Sequence, residues 1–361
     1  MRRIVVLVLV LALIYPVTTY VRALTYPGAA SVAVRTTDWL RDDMGAGGLV
    51  TTIENWWYTR KTPSNGPPAA DSLPQAVART DPTGSRPAEL TVPHGLLGEG
   101  RWVPGTVDAN GRGVLYTTFV RPDTAHGSVV AAAAWLNQAL VTTKAVAGTK
   151  EPDRDPNRQA QVPTSMRSRL VADFNSGFKM IDANGGAYLD HTTFAPLRDG
   201  AASVVIHRDG RVSVDQWGRD ARLSADVGSV VQSLDLVVDN GKVVSGLDTN
   251  RDARWGSARS QFQYTWRSGL GTDRAGNLIY VAGNQLTLAT LANAMQEAGI
   301  VRGMQLDIHT DMVSFNYTPR PGATPKRLLP TMASPSDRYL STDLRAFFAV
   351  ALRTDLERGK P

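Results

Sequence analysis

Short strand-like segments joined by two-residue turns recur through the second half of the chain and constrain its fold most. Segments 203–207 and 211–214 flank Asp209-Gly210, and segments 234–238 and 242–244 flank Asn240-Gly241. Asp-Gly and Asn-Gly between such segments are typical of tight β-hairpins. Other β-branched or apolar segments predict further strands at 114–120, 277–282, 304–308 and 346–352.

The sequence predicts one helix and the residues at which it begins and ends. Thr287 can cap its start, and Leu288, Leu291 and Met295 recur at helical spacing. Gly299 is typical of a residue that ends a helix. The alanine run at 131–134 is ambiguous between strand and helix. The predicted fold class is therefore α+β, a strand-rich mixed sheet core with a few helices, preceded by an N-terminal membrane helix.

The membrane helix is predicted from the first residues. Arg2 and Arg3 precede a segment, 4–21, that is mostly apolar and long enough to span a bilayer. The positive-inside bias keeps the arginines cytoplasmic. We interpret residues 1–24 as an uncleaved signal anchor of a single-pass protein in the cell membrane. The alternative is a cleaved signal peptide and a secreted protein. Both interpretations place the bulk of the chain outside the cytoplasm.

The rest of the chain is divided by composition. Residues 25–99 are predicted to form a juxtamembrane region and a Pro/Gly-rich linker, because 61–93 are rich in Pro, Ser, Gly and Asp. A strand-rich N-terminal subdomain is predicted over 100–160. A Pro-containing polar loop separates it from the main domain, predicted over 161–354.

Composition excludes several function classes. The chain of 361 residues has no cysteine, which excludes disulfides, thiolate metal sites and a cysteine nucleophile. The five histidines are widely spread, so no metal site is predicted. No cofactor motif is present, and a calcium ion held by oxygen ligands stays open. The net charge of +6 suits anionic partners such as phosphorylated glycans. No motif predicts nucleic-acid binding, and the oligomeric state is open.

Asp307 is the first candidate catalytic residue, since it is the one carboxylate in the apolar segment 304–308. Burying a carboxylate costs free energy unless other groups compensate it. His309 and Asp311 follow within one turn, and polar groups gathered at the end of a strand suit acid–base chemistry. The alternatives are a solvated Asp307 at a sheet edge, a surface His309 and an Asp311 that caps a turn.

A second candidate lies between two aromatic residues, in Phe174-Asn175-Ser176-Gly177-Phe178. In the functional interpretation, the Asn175 amide is directed at a ligand, and Gly177 lets that ligand approach the backbone. The alternative is a plain turn anchored in the core.

A third candidate is Arg267, which leads Ser268-Gly269-Leu270-Gly271. Arginine binds phosphate in a bidentate manner. Ser268 and Gly269 are small enough to leave room for a ligand beside it. The alternative is an ordinary solvated arginine.

Taken in order, these segments resemble the phosphodiester glycosidase family. Residues 175–178 resemble its Asn-Gly-Gly-Phe-Phe signature, and 267–271 resemble its Arg-Thr-Ala-Ile-Gly segment. The strand at 276–281, the helix from Thr287 and Leu306-Asp307 follow in the family's order. The resemblance covers roughly 168–352 and identifies the predicted 161–354 domain as phosphodiester glycosidase-like. The family includes the enzyme that removes N-acetylglucosamine from a phosphodiester to uncover mannose 6-phosphate.

The resemblance implies a hydrolase that cleaves between an anomeric carbon and a phosphate oxygen, here in cell-envelope glycans or phosphoglycans. It implies that Arg267 holds the phosphate and that Asn175 orients the sugar or phosphate. Asp307 acts as base, nucleophile or oxocarbenium stabiliser, and His309 or Asp311 handles the proton. Because the leaving phosphate monoester is stable, charge stabilisation weighs more than a strong general acid.

One departure from the family pattern follows the aspartate. The family has Leu-Asp-Gly-Gly-Gly-Ser-Ser, whereas here residues 308–310 are Ile, His and Thr. Glycines would let substrate lie against the backbone, so their replacement implies a reshaped pocket. The alternative function is therefore a non-catalytic glycan- or phosphoglycan-binding envelope protein that keeps the fold.

The placement of five side chains distinguishes the two functions. Convergence of Asp307, Asn175 and Arg267 in an open cleft favours the enzyme. A cleft filled by Ile308 or Met312 favours the binding protein.

Overall fold

The structure of the protein is a computed structural model that describes residues 2–60, 62–74, 81–92, 95–256 and 262–354. Side chains are described from residue 13 onward, except that of residue 55. Met1 of the predicted anchor and residues 61, 75–80 and 93–94 of the predicted linker lie outside the described residues.

Six α-helices and 18 strands form within the described ranges. The helices are α1 (Arg2–Thr25), α2 (Val32–Asp42), α3 (Gly47–Thr59), α4 (Thr164–Arg167), α5 (Met180–Ala183) and α6 (Leu288–Glu297). The strands are β1 (Val103–Val107), β2 (Gly113–Val120), β3 (Ala131–Leu136), β4 (Val141–Val146), β5 (Leu170–Asn175), β6 (Ala187–Leu189), β7 (Thr192–Ala195), β8 (Ala202–His207), β9 (Val212–Gln216), β10 (Val227–Gln232), β11 (Leu236–Asp239), β12 (Lys242–Val243), β13 (Thr265–Thr272), β14 (Leu278–Leu286), β15 (Arg302–Ile308), β16 (Phe315–Tyr317), β17 (Lys326–Arg327) and β18 (Phe347–Leu352).

The strands form three sheets. The largest has the order β1-β2-β3-β14-β13-β15-β11-β12, and the two five-stranded sheets have the orders β7-β6-β10-β8-β9 and β17-β16-β5-β18-β4. The strand pairs within them are antiparallel. The α+β, strand-rich prediction is confirmed in this coarse form, and the sheets are antiparallel rather than mixed.

The predicted local elements are confirmed. Both hairpins form, as β8–β9 and β11–β12. The Thr287 hydroxyl accepts from the backbone N–H of Thr290 and caps α6, while Gly299 follows the helix with a φ of +90°. Local turn chemistry and apolar periodicity therefore decide these elements.

The alanine run 131–134 forms part of β3. Alternate alanines face two different clusters of the core, so both faces of this strand are buried. β3 lies between β2 and β14 in the largest sheet. Small side chains suit a central strand covered on both sides, and this tertiary packing overrides the helix propensity of alanine.

The largest sheet lies between α6 and the two smaller sheets. One cluster of buried residues joins it to α6, and another joins it to β5, β8, β9 and β18. Strands from 100–160 and from 161–354 thus share two sheets, since β3 pairs with β14 and β4 with β18. The predicted division between these two segments stays a prediction.

The N-terminal helices lie against this body. The Trp39 indole of α2 donates to the Thr19 hydroxyl of α1. The Tyr26 hydroxyl donates to the Thr149 carbonyl, and the Ala29 amide donates to the Thr342 carbonyl. Across the residues the structure describes, no helix meets the combined length and hydropathy needed to cross a bilayer. The membrane helix stays a prediction.

Candidate active site

Asp307 lies in β15, which pairs with β13 and β11 in the middle of the largest sheet. Its side chain is buried, and its Oδ1 accepts a hydrogen bond of 2.8 Å from the Ile308 amide. Burial raises the pKa of the carboxyl to about 6, while the positive charges of Arg345 and Lys179 oppose this shift. Asp307 is thus a carboxyl group that titrates close to neutral pH, which suits acid–base chemistry.

A hydrogen-bond network ties Asn175 to Asp307. The Asn175 amide donates to the Ser268 hydroxyl over 3.0 Å, and that hydroxyl donates to the Asp307 main-chain carbonyl over 2.9 Å. The Tyr280 hydroxyl donates to Asn175 Oδ1 over 2.8 Å. All four residues lie on strands that the sheets bring together. These hydrogen bonds link the buried Asn175 amide to β15, and the catalytic role of Asn175 stays a prediction.

Three cationic side chains contact carboxylates of α2, and we call them the cationic cluster: Lys150, Lys179 and Arg345. They come from the loop after β4, the residue before α5 and the segment before β18. Lys179 and Arg345 both act electrostatically on Asp307. Positive charge gathered beside a buried carboxyl is suited to an anionic substrate.

Two carboxylates from α2 occupy the cationic cluster. Lys179 Nζ lies 2.6 Å from Asp38 Oδ1 and 3.2 Å from Asp42 Oδ2. Lys150 Nζ lies 3.2 Å from Asp42 Oδ2 and 3.7 Å from Asp38 Oδ2, and Arg345 Nη2 lies 3.5 Å from Asp38 Oδ1. Burial acts to raise the pKa of Asp38, but the charges of Arg345, Lys179 and Lys150 lower it overall. Asp38 is therefore an ionised, buried counter-ion.

Glu151 adds a second carboxyl group with a raised pKa. Burial is the main cause of this shift, and the charge of Arg345 and a hydrogen bond of 3.1 Å from the Met180 amide oppose it. Burial lowers the pKa of Arg345, but the charges of Asp38, Asp307, Glu151 and Asp42 raise it overall. Asp307 and Glu151 are thus two carboxyl groups of raised pKa that act on the same guanidinium as the α2 carboxylates.

His309 follows β15 in a left-handed conformation, with a φ of +76°. This is one of the positions where the resembled family has glycine, so the backbone keeps a glycine-like conformation under a bulkier side chain. Burial lowers the pKa of His309 to about 3, and the nearby charges of Arg267 and Arg41 add to the shift. A neutral imidazole at pH 5–8 does not supply a proton for catalysis there.

Three other predicted ligand-binding residues are closely packed in this structure, and their binding roles stay predictions. Arg267 is fully buried, and it donates to the Leu286 carbonyl over 2.9 Å and to Gln305 Oε1 over 3.2 Å. A Cβ at Gly177 would lie 2.8 Å from Ser233 Cβ, and one at Gly269 would lie 2.5 Å from the Met295 sulfur. Among the described residues, Arg267 Nη2 is buried without a hydrogen-bond partner, and the two glycines permit close packing.

Asp311 is exposed, and its main-chain carbonyl accepts a hydrogen bond of 3.0 Å from Arg338 Nη1. Of the predicted set, Asp307, Asn175 and Ser268 are brought together, and His309 lies at their edge. Ile308 and Met312 are half-buried, while α2 and α3 supply the side chains that contact the cluster and His309. In the described part of the chain, no three His, Asp or Glu side chains are grouped to hold a metal ion.

The sequence interpretation missed most of the cationic cluster and Glu151. Lys179 alone carried a signal, because it directly follows Phe178 at the end of the Asn175 segment. The other members are charged residues in loops far apart in sequence, a pattern that ordinarily indicates a solvated surface.

The fold and the site define a strand-rich protein in which two carboxyl groups of raised pKa interact with a cationic cluster. The sequence model of the family described as phosphodiester glycosidase matches residues 132–332, and the chain belongs to that family. No curated protein matches the chain in sequence.

Several solved structures resemble the chain, among them the following two. One is the catalytic domain of zebrafish N-acetylglucosamine-1-phosphodiester alpha-N-acetylglucosaminidase, auto-inhibited by its pro-peptide. It has 13% identity and a TM-score of 0.45, and the match covers 69% of this chain and 87% of that one. The other is a hypothetical protein from Synechocystis, with 14% identity and a TM-score of 0.40, matched over 68% of this chain and 63% of that one.

Proposed function

We propose that the protein is a hydrolase that cleaves the bond between a sugar's anomeric carbon and a phosphate oxygen in a cell-envelope phosphoglycan. The observation that carries this proposal is the pairing of a carboxyl group of raised pKa, Asp307, with cations that act on it, Arg345 and Lys179. Glycoside hydrolysis requires carboxyl groups near the anomeric carbon, and an anionic leaving group requires fixed positive charge.

In the proposed reaction, water attacks the anomeric carbon while the bond from that carbon to the phosphate oxygen breaks. The electron pair leaves with the phosphate monoester, and Lys179 and Arg345 stabilise its negative charge. The Asp307 carboxylate accepts the proton that the water loses. Glu151, the second carboxylate coupled to Arg345, stabilises positive charge that develops on the sugar ring. Phosphate binding is thereby assigned to the cationic cluster instead of Arg267.

We further propose that the protein works at the outer face of the cell membrane, anchored by its N-terminal segment. The apolar segment 4–21 supports this proposal. Exposed apolar residues on two helices add support: Leu13, Ile14, Val17 and Val21 on α1, and Leu49, Ile53, Trp56 and Trp57 on α3. Indole rings favour the interface between bilayer and water.

The proposed activity is tested with two variants, D307N and D311N, whose positions are four residues apart in the sequence. The full chain in detergent is incubated with synthetic sugar 1-phosphodiesters, and release of the free sugar is measured. We expect D307N to lose activity by roughly a hundredfold or more, and the exposed-site control D311N to keep it. Equal activity of D307N and wild type would exclude Asp307 as the base. Binding of the phosphodiesters without turnover by any variant would favour the non-catalytic binding protein.

A further inference from the structure

The two carboxylates of α2 that occupy the cationic cluster share its cations. Asp38 and Asp42 are separated by one helical turn and so lie on the same face of α2. Lys179 and Lys150 each contact both carboxylates, as the distances above show. The two anionic groups therefore lie close enough together for one ammonium group to bridge them.

The cluster is buried more deeply than a surface ion-pair network. The side chain of Lys179 is 5% exposed and that of Asp38 is 7% exposed. Withdrawing such charges from water is expensive, and a buried ion pair repays this cost only when its geometry and hydrogen bonds are nearly complete. The burial of these ion pairs is therefore weak evidence that they serve only to stabilise the fold.

The hydrogen bonds of this cluster are incomplete. Among the described residues, Arg345 Nε and Asp38 Oδ2 are buried without a hydrogen-bond partner. Each phosphorus of a diphosphate that links two groups offers two unsubstituted oxygens, as a carboxylate does, and such oxygens pair well with a guanidinium. The cationic groups thus have donor capacity that α2 leaves unused.

We propose that α2 is an internal ligand, whose Asp38 and Asp42 occupy two adjacent anion positions that a diphosphate group of the substrate takes. This inference rests on the proposed function and narrows its substrate class to sugars linked through a diphosphate. A lone phosphodiester carries one negative charge and fills one position. A diphosphate places two bridged phosphoryl groups where Lys150 and Lys179 now bridge two carboxylates. The substrate binds by displacing α2 from the cluster.

The first experiment measures binding of inorganic pyrophosphate and of inorganic phosphate to the full chain by calorimetry. We expect the D38N/D42N variant to bind pyrophosphate at least tenfold more tightly than wild type does, with a clearly smaller gain for phosphate. Adding K179Q to that variant removes the gain. The control D71N alters an exposed carboxylate outside the cluster and leaves both affinities unchanged.

Two results overturn the proposal. The first is an unchanged affinity of D38N/D42N for pyrophosphate. The second is an equal gain for phosphate and pyrophosphate, which refutes two adjacent positions. Both binding measurements are made without turnover. Their outcome therefore does not depend on whether the protein hydrolyses sugar phosphodiesters.

A second measurement does not require the double variant to fold. Because the chain has no cysteine, M44C just after α2 accepts a single environment-sensitive dye. Met44 is 40% exposed, and the control L223C is at a site that is 56% exposed. Pyrophosphate is expected to change the dye signal at position 44 and not at position 223. No change at position 44 under saturating pyrophosphate overturns the displacement of α2.

Discussion

The ring of Tyr58 lies stacked on the imidazole of His309, with ring centroids 4.8 Å apart and ring planes 17° apart. This contact joins α3 to the segment that directly follows Asp307. Thr265 Oγ1 lies 3.2 Å from His309 Nδ1, at the edge of the imidazole ring. The stack thus connects α3 to His309, the residue at a position where the family has glycine.

Removing the Tyr58 ring is expected to loosen α3. A stacked aromatic pair contributes about 1 kcal/mol beyond its buried area, so Y58A should raise the rate of amide exchange in α3 by roughly fivefold. Hydrogen–deuterium exchange with mass spectrometry measures this. The control W56A removes an exposed indole from the same helix and should leave the exchange nearly unchanged. Equal protection of α3 in Y58A and wild type would show that the stack does not hold it.

The lowered pKa of His309 predicts a pH-dependent stability. The folded protein binds a proton at His309 only near pH 3, whereas the unfolded chain binds it near pH 6.5. Stability from this group is therefore present above pH 6.5 and is lost as the pH falls toward 3, by up to about 1.4 kcal/mol per pH unit. In H309N this loss should be absent, and asparagine tolerates the left-handed backbone. Urea unfolding of both proteins at pH 7 and pH 5 measures the difference, and identical pH slopes would contradict the assignment.

Much of the fold could be predicted because it is encoded locally. Asp209-Gly210 and Asn240-Gly241 determine two hairpins by their turn chemistry, and Thr287 and Gly299 delimit α6. The alanine run could not be assigned, because its strand conformation depends on burial between two layers that only the assembled fold provides.

The candidate site also has some residues that the sequence predicts and others that it does not. Asp307 stands out in the sequence as a carboxylate in an apolar strand, and Asn175 lies in a recognisable segment. The burial of Arg267 could not be predicted, because its hydrogen-bond partners Leu286 and Gln305 come from other strands of the assembled sheet. Asp38 and Arg345 meet across 307 residues of sequence, and no local pattern reports such a pair.

The raised pKa of Asp307 predicts the pH dependence of hydrolysis. Its carboxyl is protonated below a pKa of about 6 and ionised above it. Because the proposed base is the carboxylate, kcat/KM should fall about tenfold for each pH unit below 6 and level off above 7. D307N should show a low activity without this limb, and H309N should keep the limb. A limb that persists in D307N would assign the titration to another group.

Tyr280 belongs to the hydrogen-bond network that links Asn175 to Asp307. Its hydroxyl donates to Asn175 Oδ1, and the Asn175 amide donates to the Ser268 hydroxyl that holds the Asp307 carbonyl. Y280F removes one buried hydrogen bond, so we expect a loss of roughly 1 kcal/mol in unfolding free energy. Asp307 should be less well positioned, and kcat should fall while KM stays close to wild type. Y188F, at a tyrosine in the separate β6 strand, serves as the control. A rise in KM with unchanged kcat would place Tyr280 in substrate binding instead.

The exposed face of α3 predicts contact with lipid. Leu49, Ile53, Trp56 and Trp57 recur at helical spacing, and the two tryptophans are 54% and 52% exposed. Tryptophan favours the headgroup region of a bilayer, so these indoles should lie at the membrane surface once the N-terminal segment is inserted.

The full chain is reconstituted into vesicles that contain lipids brominated near the headgroup, and quenching of tryptophan fluorescence is measured. We expect W56F/W57F to lose most of the quenching. The control W255F replaces a buried indole and should keep it. Undiminished quenching in W56F/W57F would show that α3 lies away from the bilayer.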